Sequence, residues 1–305
     1  MTQINFESTL LDHSKQFVIY GANGWMGRSA TDYLSLFEPK IGREQILLIG
    51  SKRSHLEINN KIFEIHGPNE GFDLIKENAI FLNSAFLRRE ALQSMSSETY
   101  LTKNKEIIDF AKSTLKQKKL FSFINLSSGA ARDLDGESKN KAVDDYSRLK
   151  KSLEIEFLDI GNQIGVPIVN CRIYSLTGRY LNEFKNLALS SFIKQAQNKN
   201  RIEVMSPTTK RTYVDAVNLA GVLFSIASQG KNVSLDSGGT LVTMLDLAQN
   251  VASALDKHDL EVVSGEAESP DYFGDFEYFN QVASKLNHEI AGIQDQILNT
   301  LKAFN

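Results

Sequence analysis

The chain has 305 residues, 42% of them hydrophobic and 23% charged, an ordinary composition for one or two globular domains. A formal net charge of -3 gives no basic excess, which argues against a nucleic-acid or membrane-surface protein. The single cysteine, Cys171, excludes an internal disulfide framework, and no apolar run approaches the roughly 18 residues of a membrane-spanning helix. The polar N-terminus lacks a signal-peptide core, so we expect a cytoplasmic protein.

Short apolar runs alternate with helical patterns through the first half of the chain. The runs predict strands at Phe17–Tyr20, Ile46–Ile49, Lys61–Ile65, Ala79–Leu82, Leu120–Leu126 and Val166–Ile173. The helical patterns fall at about 25–37, 100–118 and 144–161. Continuous apolar strands separated by helices are typical of a parallel sheet covered on both faces. The pattern therefore predicts a doubly wound α/β fold of the Rossmann type.

The rhythm changes after about residue 174. Helical patterns fall near 182–198, 213–229, 243–255 and 290–303, with short strands at Arg201–Met205 and Asn232–Leu235. This predicts a smaller, mixed C-terminal lobe. We assign residues 1–173, with about 211–240, to the Rossmann domain, and about 174–210 and 241–305 to the second lobe.

A glycine-rich turn follows the first predicted strand and begins a helix. Gly21, Gly24 and Gly27 have the spacing GxxGxxG. Glycine permits positive φ and close backbone approach to a ligand, while a helix N-terminus offers free N–H groups to a pyrophosphate. Three glycines alone are weak evidence, but this position in a βαβ pattern favours dinucleotide binding over a plain turn.

The end of the second strand indicates which dinucleotide is bound. A carboxylate there would bind the ribose 2′-hydroxyl and favour NAD. This chain instead has Ser51-Lys52-Arg53, a hydroxyl and two cations that suit the extra phosphate of NADP. A solvated basic loop is the alternative interpretation. We expect NADP, with NAD as the alternative.

Tyr146 and Lys150 are four residues apart, so a helix places them on one face. A neighbouring ammonium favours the phenolate, and the pair can then exchange a proton with a substrate alcohol or carbonyl. Ser128 ends the fifth predicted strand, where ligands of open α/β sheets bind, although a serine there can also simply cap a turn. The three residues together predict proton-transfer chemistry beside a nicotinamide.

These motifs together resemble the extended short-chain dehydrogenase/reductase family, of the nucleotide-sugar epimerase, dehydratase and reductase type, over nearly the whole chain. The resemblance implies that Ser128, Tyr146 and Lys150 are catalytic and that Lys150 also holds the nicotinamide ribose. Asn104 resembles the family's helix asparagine, and 171–178 and 211–217 resemble its later motifs. The cofactor-binding residues so predicted are Gly21, Asn23, Gly24, Trp25, Met26, Gly27, Ser51, Lys52, Arg53, Ser84, Ala85 and Lys150. The substrate-binding residues so predicted are Ser175, Arg179 and Arg211.

Several positions depart from the family pattern. Gly129-Ala130-Ala131 stands where sugar-nucleotide dehydratases carry an Asp-Glu pair, which argues against dehydration. Ser175 replaces a motif asparagine, which weakens the inference of diphosphate binding, and Arg179 is a candidate to compensate. For the acidic stretch 271–277 we favour an ordinary loop over a lining of the substrate cleft. For Trp25 we favour a packing role over covering the pyrophosphate. The five histidines show no metal-ligand spacing, so no metal is expected.

The first functional hypothesis is NADPH-linked reduction of a keto group on a nucleotide-activated sugar. The alternatives are a nucleotide-sugar epimerase with tightly bound NAD(P) and a non-catalytic dinucleotide sensor. The basic turn favours the reductase, and the retained Ser128, Tyr146 and Lys150 argue against the sensor. The resemblance also implies a homodimer and a place in polysaccharide synthesis. From the near-neutral charge we expect no nucleic-acid or membrane partner.

Overall fold

The computed structural model describes residues 15–87, 91, 95–132, 141–182, 187–199, 201–257 and 259–304. These form two compact units. The first contains the described residues up to Arg172 together with Ala220–Leu235, and the second contains Ile173–Leu219 and the described residues from Asp236 onward. Residues 211–219, which the sequence analysis placed in the Rossmann domain, lie in the second unit.

The strands are β1 (Phe17–Tyr20), β2 (Ile46–Ile49), β3 (Ser54–Ile58), β4 (Lys61–His66), β5 (Ile80–Asn83), β6 (Ser122–Ser128), β7 (Ile168–Ile173), β8 (Ser175–Thr177), β9 (Arg201–Val204), β10 (Lys210–Asp215), β11 (Val233–Asp236), β12 (Thr240–Thr243) and β13 (Glu261–Ser264). The helices are α1 (Trp25–Ser35), α2 (Glu38–Ile41), α3 (Pro68–Leu74), α4 (Ser97–Gln117), α5 (Lys141–Ile164), α6 (Ala188–Lys199), α7 (Ala216–Ala227), α8 (Met244–Ala254), α9 (Phe276–Lys285) and α10 (Ile293–Leu301). Single 3₁₀ turns cover Arg43–Gln45 and Gly129–Ala131.

A mainly parallel sheet organises the first unit, in the order β11-β7-β6-β5-β1-β2-β4-β3. β1 lies between β2 and β5 and runs parallel to both. The strand order therefore reverses beside β1, and such a switch point is where open α/β sheets bind ligands. The register places Tyr20 opposite both Ile49 and Asn83, so these strands end at one level. The predicted Rossmann sheet is confirmed.

The sheet is buried because its strands are apolar on both faces. All four residues of β1, β2 and β5 are buried. On the face that α5 covers, Phe81 stacks on Phe123 with ring centroids 5.3 Å apart, and Phe123 meets Phe157 at 4.9 Å. This packing fixes the rotation of α5 against the ends of the strands, and α5 carries two of the predicted catalytic residues.

The edge of the sheet contains a hairpin that the sequence analysis missed. β3 pairs antiparallel with β4 through a turn at Asn59 and Asn60, whose φ angles are 52° and 59°. Asparagine tolerates this left-handed conformation, which two-residue hairpins of the right twist require. The Asn-Asn pair was therefore one signal for β3, and the alternation of exposed His55 and Glu57 with buried Leu56 and Ile58 was a second.

The second unit has a three-stranded sheet, β12-β10-β8, and a β13-β9 pair. The helix predicted near 213–229 begins only at Ala216, because 213–215 belong to β10. Asp215 ends that strand, and its carboxylate accepts the backbone N–H of Val217 at 2.8 Å, a helix-capping contact. A further helix, α9, follows Asp275, whose side chain accepts from the N–H of Tyr278.

Among the described residues, no helix combines the length and the apolar character that crossing a bilayer requires.

Candidate active site

The glycine turn has the geometry that its sequence predicts. Gly21 adopts φ +89°, and a Cβ there would lie 2.6 Å from the backbone nitrogen of Ala85. A Cβ on Gly27 would lie 2.2 Å from the carbonyl oxygen of Gly21. Both positions therefore need glycine, one for its conformation and its approach to the chain after β5, the other for packing α1 onto the turn. Gly24 is the N-cap of α1, so the free N–H groups of that helix begin beside the turn.

A cavity of about 210 Å³ lies beside this turn, at the switch point of the sheet. Its lining comes from the ends of β1, β2 and β5 and from one helix, and consists of Tyr20, Gly21, Asn23, Gly24, Gly50, Ser51, Ser84, Ala85, Phe86, Leu87 and Ile107. Six predicted cofactor residues are among these: Gly21, Asn23, Gly24, Ser51, Ser84 and Ala85. Ser84 is held in place because its hydroxyl donates to the carbonyl oxygen of Tyr20 at 2.7 Å.

The other predicted cofactor residues lie outside this lining. Met26 and Gly27 are buried in α1. Trp25 is half-buried, and among the described residues no acceptor lies within hydrogen-bond distance of its buried indole N–H. Lys150 is on α5 and its ammonium contacts the Leu126 carbonyl of β6, and Lys52 and Arg53 lie on the exposed turn before β3.

Arg53 already has carboxylate partners. Its guanidinium forms a close ion pair with Glu64 of β4 and lies 3.7 Å from Glu70 of α3. The hydrogen bond that Arg53 donates to Glu64 is the first cause of a raised Arg53 pKa, and the same contact lowers the pKa of Glu64. Arg53, predicted to bind the 2′-phosphate of NADP, therefore lies beside two carboxylates, those of Glu64 and Glu70.

Tyr146 and Lys150 lie on one face of α5 and meet the same aromatic ring. The Tyr146 ring packs edge-on against Phe86 with centroids 5.9 Å apart, and Lys150 Nζ lies 3.7 Å from the Phe86 centroid. Lys150 Nζ also donates to the carbonyl oxygen of Leu126 at 3.1 Å. Because Phe86 also lines the cavity, the Tyr-Lys pair borders the predicted cofactor site. Burial lowers the pKa of Lys150 to about 7, although Glu154 opposes the shift.

Ser128 is the last residue of β6, as predicted, and is partly exposed. Its hydroxyl accepts the N–H of Ala130 at 3.3 Å and so begins the 3₁₀ turn, which is the capping role that the sequence also allowed. The preceding Ser127 is buried, and its hydroxyl donates to Glu154 at 2.5 Å. Asn104 is buried in α4, where its side-chain oxygen accepts the N–H of Leu87.

Sequence reasoning missed Phe86 and Glu154. Phe86 follows Ser84 and Ala85, and nothing in its local pattern separates it from an ordinary core aromatic. Glu154 is one helical turn after Lys150, and that spacing was the available signal.

In the second unit, Arg211 lies in β10 and lines a cavity of about 490 Å³. Among the described residues, no acceptor lies within hydrogen-bond distance of its buried Nε. The backbone of Tyr272 pairs beside Arg211, so the start of the acidic stretch 271–277 lies next to β10. Lys199, Glu203 and Met205 also line the cavity.

Ser175 and Arg179 do not line this cavity. Ser175 lies half-buried in β8 opposite Tyr213 of β10. Arg179 follows Gly178, whose φ is +121°, and its guanidinium lies 5.3 Å from the Tyr180 ring centroid. Their predicted substrate contacts stay predictions.

No protein-family model matches the chain, and no curated protein matches it. Solved structures do match it along nearly its whole length. The UDP-N-acetylglucosamine 4-epimerase of Methanobrevibacter ruminantium M1, solved with UDP-N-acetylmuramic acid, superposes with a TM-score of 0.71 at 15% identity, over 95% of this chain and 98% of that one. The epimerase Mth375 of Methanothermobacter thermautotrophicus gives 0.71 at 16% identity, over 98% and 95%. The enzyme WbmF of Bordetella bronchiseptica, solved with NADH, gives 0.70 at 15% identity, over 97% and 93%.

At such identities the likeness establishes the fold. The chain has the fold of these proteins, which is the fold that its resemblance to the extended short-chain dehydrogenase/reductase family predicts.

Proposed function

We propose that this chain is an enzyme that uses a nicotinamide dinucleotide to epimerise a nucleotide-activated sugar. One observation carries the proposal most directly: Phe86 lines the glycine-turn cavity and also contacts both Tyr146 and Lys150. The Tyr146–Lys150 pair and the glycine-rich turn therefore lie next to each other within the first unit.

The residues of the cavity fit a dinucleotide. The free N–H groups at the start of α1 suit a pyrophosphate, and Gly21, Asn23 and Gly24 line the cavity beside them. Ser51 lies at the end of β2, where an adenosine ribose binds in this fold. A bound nicotinamide would accept and return a hydride at one sugar carbon. The related structures of WbmF with NADH and of MoeE5 with UDP-glucose and NAD support this cofactor class.

The form of the cofactor that fits best is NAD rather than NADP. The sequence analysis expected NADP because of Lys52 and Arg53. Arg53 is engaged by Glu64, with Glu70 beside it, and both carboxylates would repel a 2′-phosphate. The NADP prediction then depends on Lys52, or on Arg53 leaving its partners.

The catalytic roles proposed for this chain's residues follow from their positions. Tyr146 exchanges a proton with the sugar hydroxyl, and the Lys150 ammonium favours its phenolate. The Ser128 hydroxyl accepts the N–H of Ala130 and can at the same time donate its own proton to the same substrate oxygen. Gly129-Ala130-Ala131 supplies no acid to remove a hydroxyl group, so the sequence favours oxidation and return over dehydration.

The second unit supplies the proposed nucleotide site. Its cavity of about 490 Å³ contains the cations Lys199 and Arg211, and the buried Arg211 Nε suits a diphosphate oxygen. The uridine diphosphate sugars named with two of the related structures, UDP-N-acetylmuramic acid and UDP-glucose, support this substrate class.

Epimerisation is favoured over the first hypothesis of NADPH-linked reduction. Net reduction consumes a fresh reduced cofactor each turnover, and the basic turn was the argument for NADPH. With Arg53 paired, that argument weakens, and several related structures are named as epimerases. A cytoplasmic location and a homodimer stay predictions.

The first experiment releases the cofactor from denatured purified protein, then incubates fresh protein with UDP-hexoses and UDP-N-acetylhexosamines without added cofactor. We expect retained NAD and interconversion of epimers. Tyr146→Phe should lower kcat by about 10²- to 10⁴-fold. Tyr278→Phe, in the exposed first turn of α9, is the matched control and should leave kcat unchanged.

Three outcomes would contradict the proposal. Stoichiometric consumption of NADPH with a reduced sugar would establish the reductase instead. Full activity in Tyr146→Phe would remove the catalytic role of the pair. Binding of neither dinucleotide would overturn the cofactor site.

A further inference from the structure

A buried carboxylate lies behind the Tyr146–Lys150 pair. Glu154 is one helical turn beyond Lys150 on α5, and only 6% of its side chain is exposed. The Arg172 guanidinium, on β7, donates two hydrogen bonds to the Glu154 carboxylate, from Nε to Oε1 at 2.9 Å and from Nη2 to Oε2 at 2.8 Å. Ser127 of β6 donates to it at 2.5 Å. The Glu154 side chain therefore ties α5 to two strands.

These contacts fix α5 against the end of β6 at two neighbouring points. Lys150 Nζ donates to the carbonyl of Leu126, and the next residue, Ser127, donates to Glu154. The backbone carbonyl of Glu154 also accepts from the amide of Asn170 in β7 at 3.1 Å. Residues four apart on a helix share one face, so this clamp sets the direction of Tyr146 as well. It also holds Ser128, the residue after Ser127.

The cluster also sets the charge around Lys150. Burial disfavours the Lys150 ammonium, and Glu154 supplies the negative charge that opposes this effect. The described groups that act on Lys150 include the Leu126 carbonyl of β6, the Phe86 ring and Glu154, which is one helical turn further along α5. Arg172 and the Lys151 ammonium, 3.8 Å from Glu154, act on the pair through that carboxylate.

We propose, building on the function proposed above, that Glu154 is a positioning residue that keeps Lys150 charged and aims Tyr146 and Ser128 at one substrate oxygen. A carboxylate that only stabilised the fold would change the unfolding free energy and leave the titration of the pair where it was. A carboxylate in this role sets that titration, because removing a negative charge lowers the pKa of each neighbouring acid.

The test is Glu154→Gln, which preserves the shape of the side chain and removes its charge. We expect kcat to fall about 10- to 100-fold and both limbs of the pH profile of kcat to move about one unit toward lower pH. Glu156→Gln is the matched control, because Glu156 is on the same helix, is 45% exposed and pairs with Lys112 at 2.6 Å. The control should leave both limbs in place.

Two further variants keep the proposal testable if Glu154→Gln folds poorly. Ser127→Ala removes one anchor and no charge, so kcat should fall while the limbs stay in place. Glu154→Asp keeps the charge and should restore the limbs of the profile. The proposal is overturned if the limbs of the pH profile move no further in Glu154→Gln than in Glu156→Gln. It is also overturned if Ser127→Ala leaves kcat unchanged. If Glu154→Gln does not fold, displaced limbs in Glu154→Asp overturn it.

A second readout separates this proposal from the function on which it rests. The near-ultraviolet absorbance of phenolate, taken as the difference from the same protein with Tyr146→Phe, follows the ionisation of Tyr146 without any substrate. Its midpoint should move to lower pH in Glu154→Gln. If the midpoint moves in a protein that has no sugar-nucleotide activity, the effect of Glu154 on the ionisation of Tyr146 stands and the proposed epimerase function is rejected. If the midpoint does not move in an active enzyme, the effect of Glu154 is rejected and the function stands.

Discussion

Two clusters among the described residues of the first unit, each containing an arginine that meets a carboxylate, differ in their surroundings. Arg172 and Glu154 meet beneath the sheet end, where their side chains are 22% and 6% exposed. Arg53 and Glu64 meet at the surface, where the values are 64% and 39%. In the sequence, Arg53 is a predicted cofactor ligand and Arg172 is only part of a motif. In the structure, Arg172 is in the buried cluster beside the predicted catalytic residues, whereas Arg53 is exposed and already paired.

The difference shows how burial changes what a charge pair does. Water screens an exposed pair, so the pair adds little to stability and its members can exchange partners for a ligand or a solvent ion. A buried pair cannot be broken cheaply, because the group left behind stays charged and unsolvated. We therefore expect the buried cluster to hold geometry and the exposed cluster to tune selectivity.

The largest effect should appear when each arginine is removed. Arg172→Met leaves Glu154 buried without its bidentate partner and should lower the free energy of unfolding by about 3–5 kcal/mol. Arg53→Met should leave it almost unchanged, because solvent replaces the lost contact. Urea unfolding of both variants measures the difference, and similar losses in the two would refute the comparison.

A smaller effect should appear in the pH dependence of stability. The pKa of Lys150 is about 7 in the folded chain, against about 10.4 for a free lysine, so between these values the unfolded chain binds more protons. Stability from this group therefore rises with pH, by up to about 1.4 kcal/mol per pH unit, and Lys150→Met should lack that rise. Thermal unfolding from pH 7 to 10 measures it. Lys151→Met, one residue on and 37% exposed, should follow the unaltered chain.

The smallest effect should appear at the exposed cluster. Glu64→Gln together with Glu70→Gln releases Arg53 from its carboxylates and should raise the affinity for NADP relative to NAD by about tenfold, the contribution of one charge-assisted contact. Adding Arg53→Ala should cancel the gain. Calorimetric titration with both dinucleotides measures it, and a preference of the unaltered chain for NADP would contradict our choice of NAD.

Local signals predicted most of the first unit. β1 and β2 have the bounds that their apolar runs predicted, and Gly21 and Gly27 could be anticipated from their spacing after the first strand of a βαβ pattern, although the close contact at Gly21 is with the distant Ala85. The face shared by Tyr146 and Lys150 follows from helical periodicity alone. These features depend on spacing, which a sequence displays.

The remaining features depend on contacts between distant residues. Ser127 and Glu154 are 27 residues apart, and Arg172 lies 18 residues beyond Glu154, so no local pattern shows that they converge. Arg53 and Glu64 pair across the β3–β4 hairpin, so their contact follows from the sequence only once that hairpin is recognised. Asp215 shows the opposite case, a helix cap that was visible in the sequence and was passed over inside an apolar run.

The order of the large sheet has a consequence for biosynthesis. β11 covers the outer edge of β7, yet it begins about 60 residues after β7 ends. At about 5–20 residues per second, a ribosome needs roughly 3 to 12 seconds to make that interval. During this time the nascent chain presents an open strand edge, the kind of template on which other chains aggregate. A truncation after residue 172 would make that exposure permanent, so we expect such a fragment to need chaperones or to precipitate.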